Sequence, residues 1–105
     1  MTTLKAVHPG EILRSQFMAK HGLSASALAI RMHVPAPRVN DIVRERRGVS
    51  PDSALRLARF FRTTAQYWMD LQTAYDLAVA EALAGEQIQR EVQPSVIHQD
   101  VALAA

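Results

Sequence analysis

The sequence predicts an all-α domain of five helices with a long last helix, and three observations predict it. Apolar residues recur at three and four positions along the whole chain, and no run of four to eight residues alternates as a half-buried strand does. Prolines and glycines stand where helices would start or stop, each next to a plausible cap. At 105 residues, 49% apolar and 21% charged, the chain has ordinary globular composition and length for one core.

The first helix is expected to start near Pro9, where the missing N–H of proline costs nothing, and to turn Ile12, Leu13 and Phe17 inward before Gly22 ends it. Ser24 then reads as an N-cap, with Leu23 and Leu28 placed as a hydrophobic staple, opening a short helix to about Met32. The stretch "VPAPRVNDIVRERR", Val34 to Arg47, follows with two prolines at its front. A proline costs about 3 kcal/mol in mid-helix and little in the first turn. With Pro35 as cap, Pro37 loses no intrahelical bond, although Ala36 before it is pushed away from the α region. A third helix therefore begins here, with Val39, Ile42 and Val43 inward and Ala36, Pro37, Asn40, Asp41 and Arg44 outward. Ser50 caps a fourth helix with Pro51 at its first position and Asp52 near the positive end of the dipole, leaving Leu55, Ala58 and Phe61 to pack up to about Arg62. Thr64 caps the longest helix, in which Trp68, Leu71, Tyr75, Ala78 and Ala82 form the repeating stripe and Gly85 offers a C-cap. Beyond Pro94 the periodicity stops. Residues 1–93 are thus expected to form one domain and residues 94–105 a flexible tail.

Two short helices joined by a three-residue turn, the second with a polar outer face, make a helix-turn-helix over about residues 24–44. Leu28, Met32, Val34, Val39 and Ile42 supply the apolar crossing and Ala29 the small residue at closest approach. The turn position that usually takes glycine holds His33, so a strain of about 1 kcal/mol is expected there. Charge agrees with a nucleic-acid role. Residues 1–62 hold 11 Lys/Arg against four acids, net +7; residues 63–105 hold Arg90 against six acids, net −5.

Within this motif, Arg44 and Asn40 have the donors to read guanine and adenine edges. Ala36 and Pro37 can touch thymine methyls, and Asp41 can accept from cytosine or brace an arginine. Arg38, Arg46 and Arg47 read as phosphate clamps, joined by Ser24 and Ser26 at the start of the preceding helix. A monomer this small reads few base pairs, so a homodimer on a palindrome with half-sites about 34 Å apart is expected. In the last helix, Trp68 is expected in the core, while Tyr67, Asp70, Asp76 and Glu81 face solvent, a dimer mate or a basic protein.

Other classes find little support. There is no cysteine, hence no disulfide, thiolate site or cysteine nucleophile. There is no glycine-rich phosphate loop, and His8, His21, His33 and His98 lack the spacing of a helical zinc site. Neither an enzyme nor a cofactor or metal is expected. The N-terminus "MTTLKAVHPG" has no signal-peptide core, and no stretch approaches the roughly 20 apolar residues of a membrane span, so a cytoplasmic protein is expected.

The segments "HPGEIL", "GLSASALA", "VPAPRVNDIV", "RRGVSPDSALRLARFF" and "TTAQYWMDLQTAYDL" together resemble the HigA antitoxin family, also called VapI-type, a branch of the lambda-repressor-like helix-turn-helix proteins. The resemblance spans about residues 7–78. It implies a five-helix domain, usually dimeric, that binds operator DNA, represses its own operon and neutralises a HigB-type ribonuclease toxin. A helix-turn-helix repressor with no toxin partner, or an interaction bundle with no DNA role, would share much of the pattern. The closing "VALAA" reads either as an accidental apolar end or as a signal like the tag that Clp-type proteases recognise.

Overall fold

The structure is a computed structural model and describes residues 6–97. Helix α1 is a continuous helical run built from Pro9–Ile12, a π-helical stretch Leu13–Met18, and Ala19–His21; α2 is Ala25–Met32, α3 Ala36–Val43, α4 Pro51–Phe61 and α5 Ala65–Glu91. Among the described residues there is no strand. Nor, among these residues, is any helix long and apolar enough to cross a membrane.

Local chemistry sets most of the boundaries. The hydroxyls of Ser24, Ser50 and Thr64 accept the N–H three residues on, from Ala27 at 3.1 Å, Ser53 at 3.2 Å and Tyr67 at 3.0 Å. Each satisfies one of the four N–H groups that a helix start leaves without a partner. Pro35 is the cap of α3, extended at φ −64° and ψ 145°, and Pro37 falls in the first turn as expected. Gly22 ends α1 at φ 63°, and the Leu23 N–H then bonds back to the Met18 carbonyl at 3.0 Å.

The core is formed by Leu13, Leu28, Val39, Ile42, Leu57 and Trp68, all buried. Trp68 is wholly enclosed, and its indole N–H donates to the Thr63 hydroxyl at 2.8 Å, so the polar end of the ring is satisfied. Phe17 lies between Phe61 and Trp68, with ring centroids 5.1 and 5.0 Å away.

Four expectations need correction. The π stretch in α1 was not foreseen; there the Ser15 hydroxyl donates to the Glu11 carbonyl at 2.7 Å, taking the acceptor that a regular α-helix reserves for Ser15's own N–H. Leu55 does not pack but is 63% exposed, because the inward face of α4 runs through Ala54, Leu57, Ala58 and Phe61. Ala78 and Ala82 are likewise exposed, since α5 rests on the other helices only over its first three turns. Gly85 is not a C-cap: it lies inside α5, which runs on to Glu91 and gives way to extended backbone at Val92, ahead of Pro94. A mid-helix glycine costs only about 1 kcal/mol, less than the hydrogen bonds on either side return, whereas a proline cannot continue the helix.

The free half of α5 gives the molecule extents of 54 × 29 × 23 Å and a radius of gyration of 17.3 Å. The chain is non-helical from Val92 to Ile97, which includes the first four residues of the segment expected as a tail, 94–105. Its remainder, including Val101–Ala105 of the "VALAA" motif, lies outside the described residues, as does His98.

Candidate nucleic-acid interface

Helices α2 and α3 cross through Leu28, Ala29 and Met32 on one side and Val39 and Ile42 on the other, all buried. His33 makes the turn between them in the left-handed region, φ 59° and ψ 47°, its side chain exposed. The Val34 N–H bonds back to the Ala29 carbonyl at 3.0 Å, so the turn is closed tightly despite the missing glycine. Fixed in this way, α3 leaves Pro37 exposed and Asn40 and Asp41 half-buried on its outer side, whereas Ala36, expected outward, is half-buried and packs against the core.

The side chains expected at DNA divide by what they already hold. Asn40 keeps its amide close to the helix, Nδ2 donating to the Ala36 carbonyl at 3.3 Å. Of the two readings of Asp41, the geometry displays the bracing one: its carboxylate takes Arg46 at 3.2 Å and Arg47 at 3.6 Å. Arg38, expected as a free phosphate clamp, pairs instead with Asp52 of α4. Asp52 also accepts from Arg56 Nε at 2.9 Å, and Arg56 in turn donates to the Met32 carbonyl at the end of α2. The hydrogen bonds from Arg56 and then Arg38 hold the Asp52 carboxyl below the usual carboxylate range. Ser24 Oγ is occupied as a cap, and Ser26 is exposed in the first turn of α2.

Arg44 is placed differently from expectation. Helix α3 ends at Val43, and Arg44 is its C-cap at φ −92° and ψ 4° rather than a residue of its outer face. Its side chain is exposed and, among the described residues, engages no acid.

Sequence reasoning missed how α1 grips the end of α3. Four carbonyls at a helix C-terminus lack intrahelical donors, and in α3 each has a partner. Asn40 O accepts from the Arg44 N–H at 3.1 Å, Ile42 O from the Glu45 N–H at 2.9 Å, and Asp41 O from the Arg46 and Arg47 N–H groups at 2.8 and 3.2 Å. The last, Val43 O, accepts from Arg14 Nη1 of α1 at 2.6 Å, while Arg14 Nη2 pairs with Glu45 at 3.0 Å. Glu45 itself sits at φ 64°. Gly10 brings the two helices together, since a Cβ there would lie 1.9 Å from the Ile42 carbonyl oxygen, so no larger residue fits. His8, 3% exposed, caps α1 by accepting the Gly10 N–H on Nδ1 at 2.9 Å and meets the Tyr75 ring edge-on. Burial pushes the His8 pKa down from its ordinary value, against the opposing pull of Glu45 and Asp76. Only Gly10 left a local trace, as a glycine inside a helix start; Arg14 stands 29 residues from its acceptor and had none.

The loop after α3 is tied down from the far side. Buried Gln72 of α5 accepts the Val49 N–H on Oε1 at 2.7 Å and donates from Nε2 to Asp76 at 2.9 Å. On the outer surface of α5, Tyr67, Asp70, Asp76 and Glu81 are exposed, with Asp70 accepting from Gln66.

No protein-family model matches the chain. Virulence-associated protein I of Dichelobacter nodosus is 55% identical over 78 residues, 74% of this chain and 72% of the relative. Among solved structures, the Pseudomonas aeruginosa antitoxin HigA with the higBA promoter is 52% identical over 88% of this chain and all of that one, with a TM-score of 0.86. The antitoxin GraA in complex with its operator is 47% identical over 92% and 98%, with a TM-score of 0.85. The whole five-helix frame is shared at about half identity, well beyond what a common helix-turn-helix alone would give, and the chain belongs to the HigA family of helix-turn-helix antitoxins.

Proposed function

We propose that this protein is the antitoxin of a type II toxin–antitoxin module: it binds operator DNA as a homodimer, represses its own operon and neutralises a HigB-type ribonuclease toxin, working in the cytoplasm without enzymatic activity. The observation that carries the DNA part is the recognition helix α3, packed on α1 and α2 and tied to α4 by the Arg38–Asp52 pair, so that its outer side and the uncommitted Arg44 stay open to solvent. The promoter- and operator-bound states of the Pseudomonas HigA and of GraA support it.

In this reading the C-cap geometry suits Arg44 to guanine, because the side chain leaves from the last turn and is not tethered to an acid. Ala36 and Pro37 meet thymine methyls, Asn40 reaches adenine once it releases the Ala36 carbonyl, and Asp41 chiefly holds Arg46 and Arg47 in place. Those two arginines, with Arg38, Ser24 and Ser26, lie along the phosphates. Arg38 keeps Asp52 as a tether, which limits its reach but also the entropy lost on binding. The second partner falls to the opposite end: the exposed acidic half of α5 suits a cationic ribonuclease or the dimer mate.

The test is to express the small reading frame adjacent to this one alone, with this protein, and with its Arg44→Ala variant, following growth. Toxicity relieved by both forms establishes an antitoxin whose neutralising surface is separate from its DNA helix. A neighbour that is harmless, or toxicity that neither form relieves, leaves a helix-turn-helix repressor without a toxin partner.

A further inference from the structure

We infer that Arg14, on α1 and outside the helix-turn-helix, is a positioning residue for DNA reading: its guanidinium fork fixes the direction in which Arg44 leaves the end of α3. The inference rests on the reading of Arg44 as a base-contacting residue. Arg44 is bracketed by the two groups Arg14 holds, the Val43 carbonyl before it and the Glu45 carboxylate after it, at 2.6 and 3.0 Å. A planar guanidinium engaging both at once defines their relative orientation in a way that a single point charge does not. The residue after Arg44 is left-handed at φ 64°, so the turn relies on its surroundings to stay in this conformation.

The carbonyl accounting points the same way. The carbonyls of Asn40, Asp41 and Ile42 are satisfied by the turn's own N–H groups, which move with the turn. Of the four carbonyls Val43 O alone is held from another helix, so Arg14 ties the start of the turn to α1, as Gln72 ties the loop's far end to α5. The cation also lies at the negative end of α3, where the helix dipole favours it, and it neutralises Glu45, a carboxylate that would otherwise stand unpaired beside Arg44 and close to phosphate. Arg14 itself is committed to these two acceptors from α1, outside the helix-turn-helix, so its effect on DNA passes through Arg44.

The experiment uses the full chain and a 30-base-pair duplex chosen by footprinting upstream of its own reading frame, with each base pair then substituted in turn. Affinities are measured across a salt series for the wild type, Arg14→Ala, Arg14→Lys, Arg44→Ala and the Arg14→Ala/Arg44→Ala double variant. Arg44→Ala is expected to abolish the preference at one base pair of each half-site, of order tenfold. Arg14→Ala is expected to lose about three- to tenfold of preference at that same base pair, with Arg14→Lys in between, and the double variant to match Arg44→Ala alone. A weakening that is equal on every duplex, or preference lost further in the double variant, overturns the positioning role. So does a salt slope reduced by about one in Arg14→Ala, which marks a direct phosphate contact. Should Arg14→Ala melt below the assay temperature, Arg14→Lys alone decides between the same outcomes. If Arg44→Ala leaves every base preference intact, it is the base-reading assignment that has failed, a result separate from any behaviour of Arg14.

Discussion

His33, Glu45 and Arg62 all carry a Cβ at positive φ, and each stands where one helix yields to the next segment. For His33 the strain was legible from the motif, because the position after a short capped helix calls for left-handed backbone. His33→Gly should raise the melting temperature, corresponding to roughly 0.5–1 kcal/mol, with the strain released partly offset by the greater freedom of glycine in the unfolded chain. A lower melting temperature would show that the imidazole contributes packing worth more than the strain. His8 behaves differently. Its neutral Nδ1 must accept the Gly10 N–H, and its folded pKa lies below the ordinary 6.5, so the folded chain resists a proton that the unfolded chain takes up. Its contribution to stability is complete above pH 6.5 and is lost as pH falls from there through the lowered folded value. Melting temperatures between pH 7.5 and 5 should therefore fall more steeply for the wild type than for His8→Asn, which retains a cap without titrating. Neither the burial of His8 nor the pairing of Arg38 with Asp52 could be read from spacing, since both depend on which helices end up side by side.

Helix starts were the most legible elements, because an N-cap acts within three residues: Ser24, Ser50 and Thr64 all cap as their sequence context predicts. Helix ends were less so. Gly85 resembled a stop, yet a glycine ends a helix only where the chain must turn left-handed, and among the described residues α5 has no buried residue there to make it turn. Gly85→Ala should accordingly strengthen α5, with slower amide exchange over residues 83–91 and a local gain of about 1 kcal/mol. The Cβ added would come within 2.7 Å of the Glu81 carboxylate, the end of a flexible side chain that can swing aside. Unchanged exchange would mean that this half of α5 is already held by something other than its own hydrogen bonds. The amphipathic stripe read through Ala78 and Ala82 failed for a related reason: periodicity shows which face is apolar but not how far along the helix a neighbour extends.

Across the whole molecule, the division of charge between residues 1–62 and 63–105 survives folding, with the recognition helix at the basic part and the free end of α5 at the acidic part. Several of the basic groups are already neutralised, since Arg14, Arg38, Arg46, Arg47 and Arg56 all have acid partners. In Arg38, Arg46 and Arg47 a single weak acid contact leaves further guanidinium N–H donors for phosphate, so the pairing does not withdraw them from DNA. A dimer that neutralises about 6–10 phosphates should show a log–log salt slope of about −5 to −9 on operator DNA, read by titration from 50 to 300 mM salt, and a slope near zero would argue against DNA binding.

The protruding half of α5 also governs how the protein will migrate. A compact chain of about 100 residues has a radius of gyration near 13 Å, against 17.3 Å here. Friction follows the longest axis rather than the mass, so a single chain should leave a sizing column early, at the volume of a rounder and heavier protein. Mass assigned from elution volume would then be overstated, and the count of chains on an operator is properly taken from light scattering or sedimentation equilibrium, which weigh the particle without regard to its outline.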